Sequence, residues 1–289
     1  MNEGKIFQSI KDGVAHINNG FFYVARQGVL FPIWVCIQNP SNSSLTTFFP
    51  GSTRRDKPLP IFQRNSYSSS LECDVICTAD PTLNFSSDIT MAWFAGDRSM
   101  HYADLIGQIL NEYISSKQYK TVLFYGTSAG GIPVLHAANR ITHENVVACI
   151  GNAQLNIFNY YPNHFKKLRD VAFVKMDPKL FQEKYPQRIN VVGMSFSFNL
   201  VCLQNTVDVH HYDNHFHPFK KQYNSNNANS LFIEYEHQES GHQPLPRANE
   251  IALIQALSSG REVDLAGIPN GRLSDNSTNA SNLQHVATE

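Results

Sequence analysis

The sequence predicts an α/β fold, with one mostly parallel central sheet flanked by helices, in a single domain over residues 1–262. Three observations predict it. Short apolar runs recur along the chain, several apolar almost throughout, as strands covered on both faces are. Helical patterns alternate with those runs, which is the rhythm of strand–helix–strand units. The composition is 42% hydrophobic and 16% charged, which suits a buried core and excludes a disordered chain.

Taken in order, "FFYVA" and "IWVCIQ" have no helix between them, so the sheet is expected to start with an antiparallel hairpin. "LTTFF", "CDVICTA" and "ITMAWFA" read as the next three strands. In "HYADLIGQILNEYISSK", Tyr102, Leu105, Ile106, Ile109, Leu110, Tyr113 and Ile114 fall on one helical face. The strands "TVLFY", "VVACIG", "NLVCLQ" and "SLFIEYE" follow, with helices expected at 132–142 and 247–259. Residues 156–196, rich in aromatics, lysine and proline, are far too long for an ordinary connection. They read as a mostly helical insertion over one end of the sheet, a lid. From 263 to 289 the chain loses periodicity and reads as a flexible tail.

A net charge of −1 excludes the basic excess of a nucleic-acid binder. No run of about 18 apolar residues predicts a membrane span, and the polar start "MNEGKIFQSIKDG" does not read as a signal peptide. Cys36, Cys73, Cys77, Cys149 and Cys202 are odd in number and lie in or beside apolar runs, so free thiols in a reducing, cytoplasmic compartment are expected. Cys73 and Cys77 lack a second pair for zinc, and no metal is expected.

The chemistry-bearing stretch is Gly126-Thr127-Ser128-Ala129-Gly130. A G-x-S-x-G pattern arises by chance in roughly one chain in ten. Here a strand enters it, a helix leaves it, and Pro133 falls near the helix's first turn, the setting a nucleophile elbow requires. Ser128 would sit on a sharp turn at a helix N-terminus, where backbone N–H groups favour negative charge. A serine nucleophile needs a base, and the base an orienting acid. Asp208 follows the strand "NLVCLQN", and His242 follows "SLFIEYE", so both are expected at the sheet edge that carries Ser128. Asp213 and His237 are the alternative acid and base. His210, His211, His215 and His217 suggest a metal cluster, but no carboxylate or cysteine pattern completes one. An oxyanion hole needs two donors, expected from the Ala129 N–H and from Gly51 or Ser52 in "FPGSTRR". Asp97 and Arg98 are weaker candidates for the cleft's border. Arg54, Tyr160 and His211 are candidate substrate-binding residues.

With elbow, acid and histidine in this order, the chain resembles the α/β-hydrolase superfamily. Within it, residues 120–258 are similar to bacterial capsular polysaccharide O-acetyltransferases of the meningococcal serogroup A type. The likeness rests on the "LFYGTSAGG" elbow, on Gly151-Asn152-Ala153-Gln154 against an "NAPQ"-like segment, on "QNTVD" at the acid turn and on "ESGH" at the histidine turn. Asn205 stands where the acid turn commonly has glycine, and asparagine tolerates positive φ. The resemblance implies Ser128 as nucleophile, Asp208 as acid and His242 as base.

Three functions are consistent with these residues. The first is transfer of acetyl from acetyl-CoA to a polysaccharide hydroxyl through an acyl-serine, with no bound cofactor. The second is a serine esterase of the same fold, and the third a non-catalytic accessory protein. Transfer requires that water be kept out while an acceptor is admitted. Phe158, Tyr160, Tyr161 and Phe165 of the insertion are placed to do that, and Lys166, Lys167 and Arg169 to meet an anionic partner.

Overall fold

The computed structural model describes residues 4–38, 42–223, 230–239 and 241–274. The chain runs β1 (Ile6–Phe7), α1 (Ile10–His16), β2 (Asn19–Arg26), β3 (Val29–Cys36), β4 (Ser44–Phe49), β5 (Asp74–Thr78), α2 (Tyr102–Ile114), β6 (Thr121–Thr127) and α3 (Gly131–Ala138). It continues through β7 (Val146–Gly151), α4 (Pro162–Ala172), α5 (Pro178–Lys184), β8 (Asn199–Asn205), α6 (Val209–His211), α7 (His217–Gln222), β9 (Ser230–Tyr235), α8 (Arg247–Ser258) and β10 (Arg272–Leu273).

The strands form one sheet in the order β1-β2-β3-β5-β4-β6-β7-β8-β9-β10. The stretch from β5 to β9 is parallel throughout, and β2, β3 and β5 pair antiparallel in succession, so the expected hairpin opens the sheet. Every residue of β4, β5, β7 and β9 is buried, which is why those runs read as continuously apolar. One face packs under α2, α3 and the insertion; the other packs on α8 through Leu253, Ile254 and Leu257.

Two expectations change. "ITMAWFA" is not a strand. Trp93 and Phe94 have φ of 53° and 51°, in the left-handed region no strand uses. Asp80 accepts from the Phe94 N–H at 2.7 Å and Thr82 Oγ1 from the Gly96 N–H at 3.2 Å, so a loop is held in the core. The apolar run reported burial and not conformation. The tail, expected to be flexible from 263, instead packs as far as Ser274. Ile268 is buried, β10 pairs antiparallel with β9, and Ser274 Oγ donates to Glu234 Oε1 at 2.7 Å. Residues 275–289 lie outside the described residues.

The insertion closes on itself. Ile157 N donates to Ile189 O at 2.9 Å and Val191 N to Leu155 O at 2.9 Å, pinching its base. Phe165, Leu168, Phe173 and Phe181 pack together inside it and join the core under that face of the sheet. Arg98 Nε donates to Phe173 O and Tyr185 Oη to Arg98 O, so the Asp97–Arg98 turn anchors the insertion.

Candidate active site

All parallel strands point their C-terminal ends at one edge. β4 lies between β5 and β6, so the chain order reverses there, which is where open α/β sheets bind their ligands. Ser128 follows the end of β6. Its φ is +56°, a left-handed conformation that costs a non-glycine residue roughly 1–2 kcal/mol. Such strain persists only where surrounding structure imposes it. The neighbouring glycines show how. A Cβ at Gly126 would sit 2.6 Å from Gly130 O, and one at Gly130 would sit 2.8 Å from Phe49 O. Backbone therefore passes where any side chain would be, and the turn forces Ser128 outward.

Asp208 lies three residues past β8, buried at 4% exposure, and its backbone N–H donates to Asn205 O at 3.1 Å. Its Oδ2 is 2.6 Å from His242 Nδ1, and its Oδ1 is 3.0 Å from His211 Nδ1. The two imidazoles stack, with centroids 4.0 Å apart and planes at 24°. Burial by itself would raise the Asp208 pKa; the hydrogen bonds from His211 and His242 outweigh it and hold the carboxylate well below the ordinary range. Both Nδ1 atoms therefore carry their proton toward Asp208, which leaves each Nε2 as the basic nitrogen. The His242 loop is fixed by amides. Asn152 Nδ2 donates to Gln243 O at 2.7 Å, and Asn205 Nδ2 to Gly241 O at 3.3 Å. Asn205 thus serves by hydrogen bonding: it is not among the residues with positive φ, whereas Asn152 is, at 44°. Ser240 lies outside the described residues.

Gln154, fully buried past the end of β7, is the residue that sequence reasoning quoted without a role. Its Nε2 donates to Ser128 Oγ at 3.1 Å and its backbone N–H to Ser128 O at 3.0 Å. The Trp93 indole N–H, which can only donate, reaches Gln154 Oε1 at 2.7 Å and so fixes which end of the amide faces the serine. The partner in the misread "ITMAWFA" run is thus a determinant of the site, and no spacing rule points to it.

The other candidates fall as follows. Ala129 N lies in the first turn of the helix that leaves the elbow, where N–H groups lack helical partners. The Gly51 N–H is already donated to Gln63 Oε1 at 3.0 Å, and a Cβ at Gly51 would sit 3.0 Å from Thr127 O. Ser52 and Arg54 are exposed beside it. Tyr160 lies within 5.7 Å of His211, ring to ring, near the start of the insertion. Asp213 is exposed, and His237 takes its contacts from Asn205 and Glu239, so neither touches the Asp208–His242 pair. Lys166 and Arg169 pair with Asp170. Among the described residues, one His/Asp group outside this site is tight enough for a cation, His101–Asp104–His136. There Arg140 already pairs with both Asp104 oxygens, at 3.1 and 2.8 Å, which opposes a cation. Cys73, Cys77, Cys149 and Cys202 are buried free thiols, and Cys36 is a partly buried one.

Solved structures share this architecture. No family model matches the chain, and no curated protein matches its sequence. A variant of the capsule O-acetyltransferase of Neisseria meningitidis serogroup A, in complex with CoA, superposes with a TM-score of 0.55 at 12% identity, over 75% of this chain and 88% of that one. An acetyl xylan esterase from Paenibacillus sp. R4 gives 0.53 at 14% identity, over 80% of each chain. The 2,6-dihydroxy-pseudo-oxynicotine hydrolase gives 0.57 at 11%, over 85% and 70%. The chain has the α/β-hydrolase fold. Ser128, Asp208 and His242 follow β6, β8 and β9 in chain order, at the carboxyl edge of the sheet. Among the described residues, no helix of this α/β-hydrolase-fold protein is long and apolar enough to cross a membrane.

Burial also sets an acid limit on the fold. It pushes the His136 and His215 pKa values down from 6.5 to about 3, with neighbouring histidines adding to the effect. The unfolded chain takes up these protons near pH 6.5 and the folded chain only near 3, so both groups stabilise the fold at neutral pH. That contribution is lost as pH falls from about 6.5 toward 3. Melting temperature should therefore drop over this window, and the His136→Gln/His215→Gln double variant should show a shallower drop. Parallel curves for the two proteins would contradict the assignment.

Proposed function

We propose that this protein is a serine-dependent O-acetyltransferase that moves acetyl from acetyl-CoA to a hydroxyl of a bacterial capsular or surface polysaccharide. The observation that carries the reading is the Asp208–His242 contact of 2.6 Å, at the same sheet edge as a serine forced into the left-handed region. The fold likeness to a capsule O-acetyltransferase in complex with CoA supports the choice of donor.

In this scheme His242 Nε2 takes the Ser128 proton as Oγ attacks the thioester carbonyl. Charge on the carbonyl oxygen is met by the Ala129 N–H and by the loop after β4. The carbon–sulfur bond then breaks, and the thiol leaves with the proton from His242. An acceptor hydroxyl next gives its proton to His242 and attacks the acetyl-serine. Ser128 leaves and recovers its proton. Asp208 stays ionised throughout and holds the tautomer. Arg54, Tyr160 and His211 are the proposed substrate contacts.

A second reading, an esterase, is favoured by one observation. The His242 side chain is 37% exposed, so water can reach the base. The likeness to an acetyl xylan esterase agrees with it. Incubation with acetyl-CoA, with and without candidate glycans, separates the two. Free thiol released only when glycan is present supports transfer. Equal release without glycan, or activity confined to simple esters, overturns transfer in favour of hydrolysis.

A further inference from the structure

Adjacent residues far from any recognised motif join the three walls of the site. Gln63 and Arg64 lie in the long connection after β4. Gln63 Oε1 accepts from the Gly51 N–H at 3.0 Å, and Gln63 Nε2 donates to Ser52 O at 2.8 Å, so one amide grips both sides of the loop beside Ser128. Arg64, at φ 65°, turns back to the elbow. Its Nη2 donates to Thr127 Oγ1 at 2.9 Å, on the residue before the nucleophile, and to Glu250 Oε1 at 2.9 Å. Glu250 is in the first turn of α8, the helix that follows the His242 loop. It also accepts from Tyr125 Oη at 2.6 Å and Tyr67 Oη at 2.5 Å. Glu250 is buried and Arg64 largely so, with side chains 3% and 11% exposed, and the Arg64 guanidinium lies 5.1 Å from the Tyr125 ring centre.

We propose that Gln63 and Arg64 are positioning residues that set the oxyanion-binding loop against the nucleophile elbow, and that the donor this loop contributes is the Ser52 N–H. The inference rests on the acyl-serine reading above. Two facts assign the donor: the Gly51 N–H is spent on Gln63, and Pro50 has none. The same amide that consumes the Gly51 N–H fixes the Ser52 carbonyl, and so holds the 50–51 and 52–53 peptide planes that flank the Gly51–Ser52 peptide carrying the donor. Glycine at 51 eases the approach, since a Cβ there would lie 3.0 Å from Thr127 O, a tight contact with backbone. A largely buried, left-handed arginine held through Nε and Nη2 is a rigid support. Burial alone would lower its pKa, but Glu250, Tyr125 and Tyr67 raise it above the ordinary value, so it stays charged. Neither residue of the pair contacts substrate in this scheme. Its loss should therefore appear in turnover and not in binding.

The test uses the full chain with p-nitrophenyl acetate as acyl donor and a trifluoromethyl ketone as a mimic of the tetrahedral state. Gln63→Ala should lower kcat about a hundredfold, the scale of a misplaced catalytic group, with KM within about twofold of the parent. Affinity for the ketone should fall in step with kcat, and the melting curve should stay in place. Arg64→Lys keeps a charge for Glu250 but loses the planar fork, and should give a smaller fall of the same kind. Unchanged kcat in Gln63→Ala would overturn the proposal. So would kcat, KM and melting temperature moving together, which is the mark of a merely structural role. If Gln63→Ala does not fold, Arg64→Lys decides by the same criteria. Ser128→Ala separates this inference from the one beneath it. Activity that survives in Ser128→Ala sinks the acyl-serine reading, whereas a dead Ser128→Ala beside a fully active Gln63→Ala sinks the clamp alone.

Discussion

Ser128→Ala is expected to abolish thiol release from acetyl-CoA and hydrolysis of simple esters alike, by about four to six orders of magnitude in kcat. The fold should survive the change. Alanine keeps the Cβ and the φ of +56°, and removes one oxygen whose protein contact is Gln154 Nε2 at 3.1 Å. Acyl-donor affinity should change little, because the hydroxyl acts in bond making. The check is steady-state kinetics with both donors beside a melting curve. Residual turnover above about one thousandth of the parent would place the nucleophile elsewhere.

Asp208→Asn should lower turnover by about 10⁴, the scale seen when an acid that fixes a histidine tautomer is lost. Asp208 accepts from two imidazoles, one on each carboxylate oxygen, at 2.6 and 3.0 Å. An asparagine has one acceptor oxygen and one NH₂. It can satisfy His211 or His242, but must present a donor to the other. If that donor faces His242 Nδ1, the proton is displaced to Nε2 and the base is lost. Asp213→Asn, at an exposed position in the helical stretch behind it, should leave kcat within about twofold. Kinetics on the two variants in parallel makes the comparison, and the opposite ranking would move the acid's role to Asp213.

Much of this was legible in the sequence because it obeys local rules. The elbow announces itself through glycines whose Cβ atoms would strike backbone. Asp208 and His242 follow strands whose apolar runs are continuous, since every residue of β9 and all but the first of β8 are buried. What was not legible depends on contacts between distant residues. Arg64 meets Glu250 across 186 positions, and Trp93 meets Gln154 across 61, with no shared motif to join them. "ITMAWFA" misled because a buried loop and a buried strand carry the same composition; two left-handed residues separate them, and neither is glycine. β10 was missed because two exposed residues, Arg272 and Leu273, leave no alternation to read.

The central claim is that acyl transfer passes through Ser128. The most direct measurement is intact mass and peptide mapping of the protein quenched rapidly after mixing with acetyl-CoA in the absence of acceptor. The account predicts a species heavier by one acetyl group, with the label on the peptide that carries Ser128, lost on adding an acceptor hydroxyl and absent in Ser128→Ala. An acetyl label on any other residue that turns over with acceptor, or turnover with no labelled protein in either the parent or a slowed Asp208→Asn variant, would contradict it.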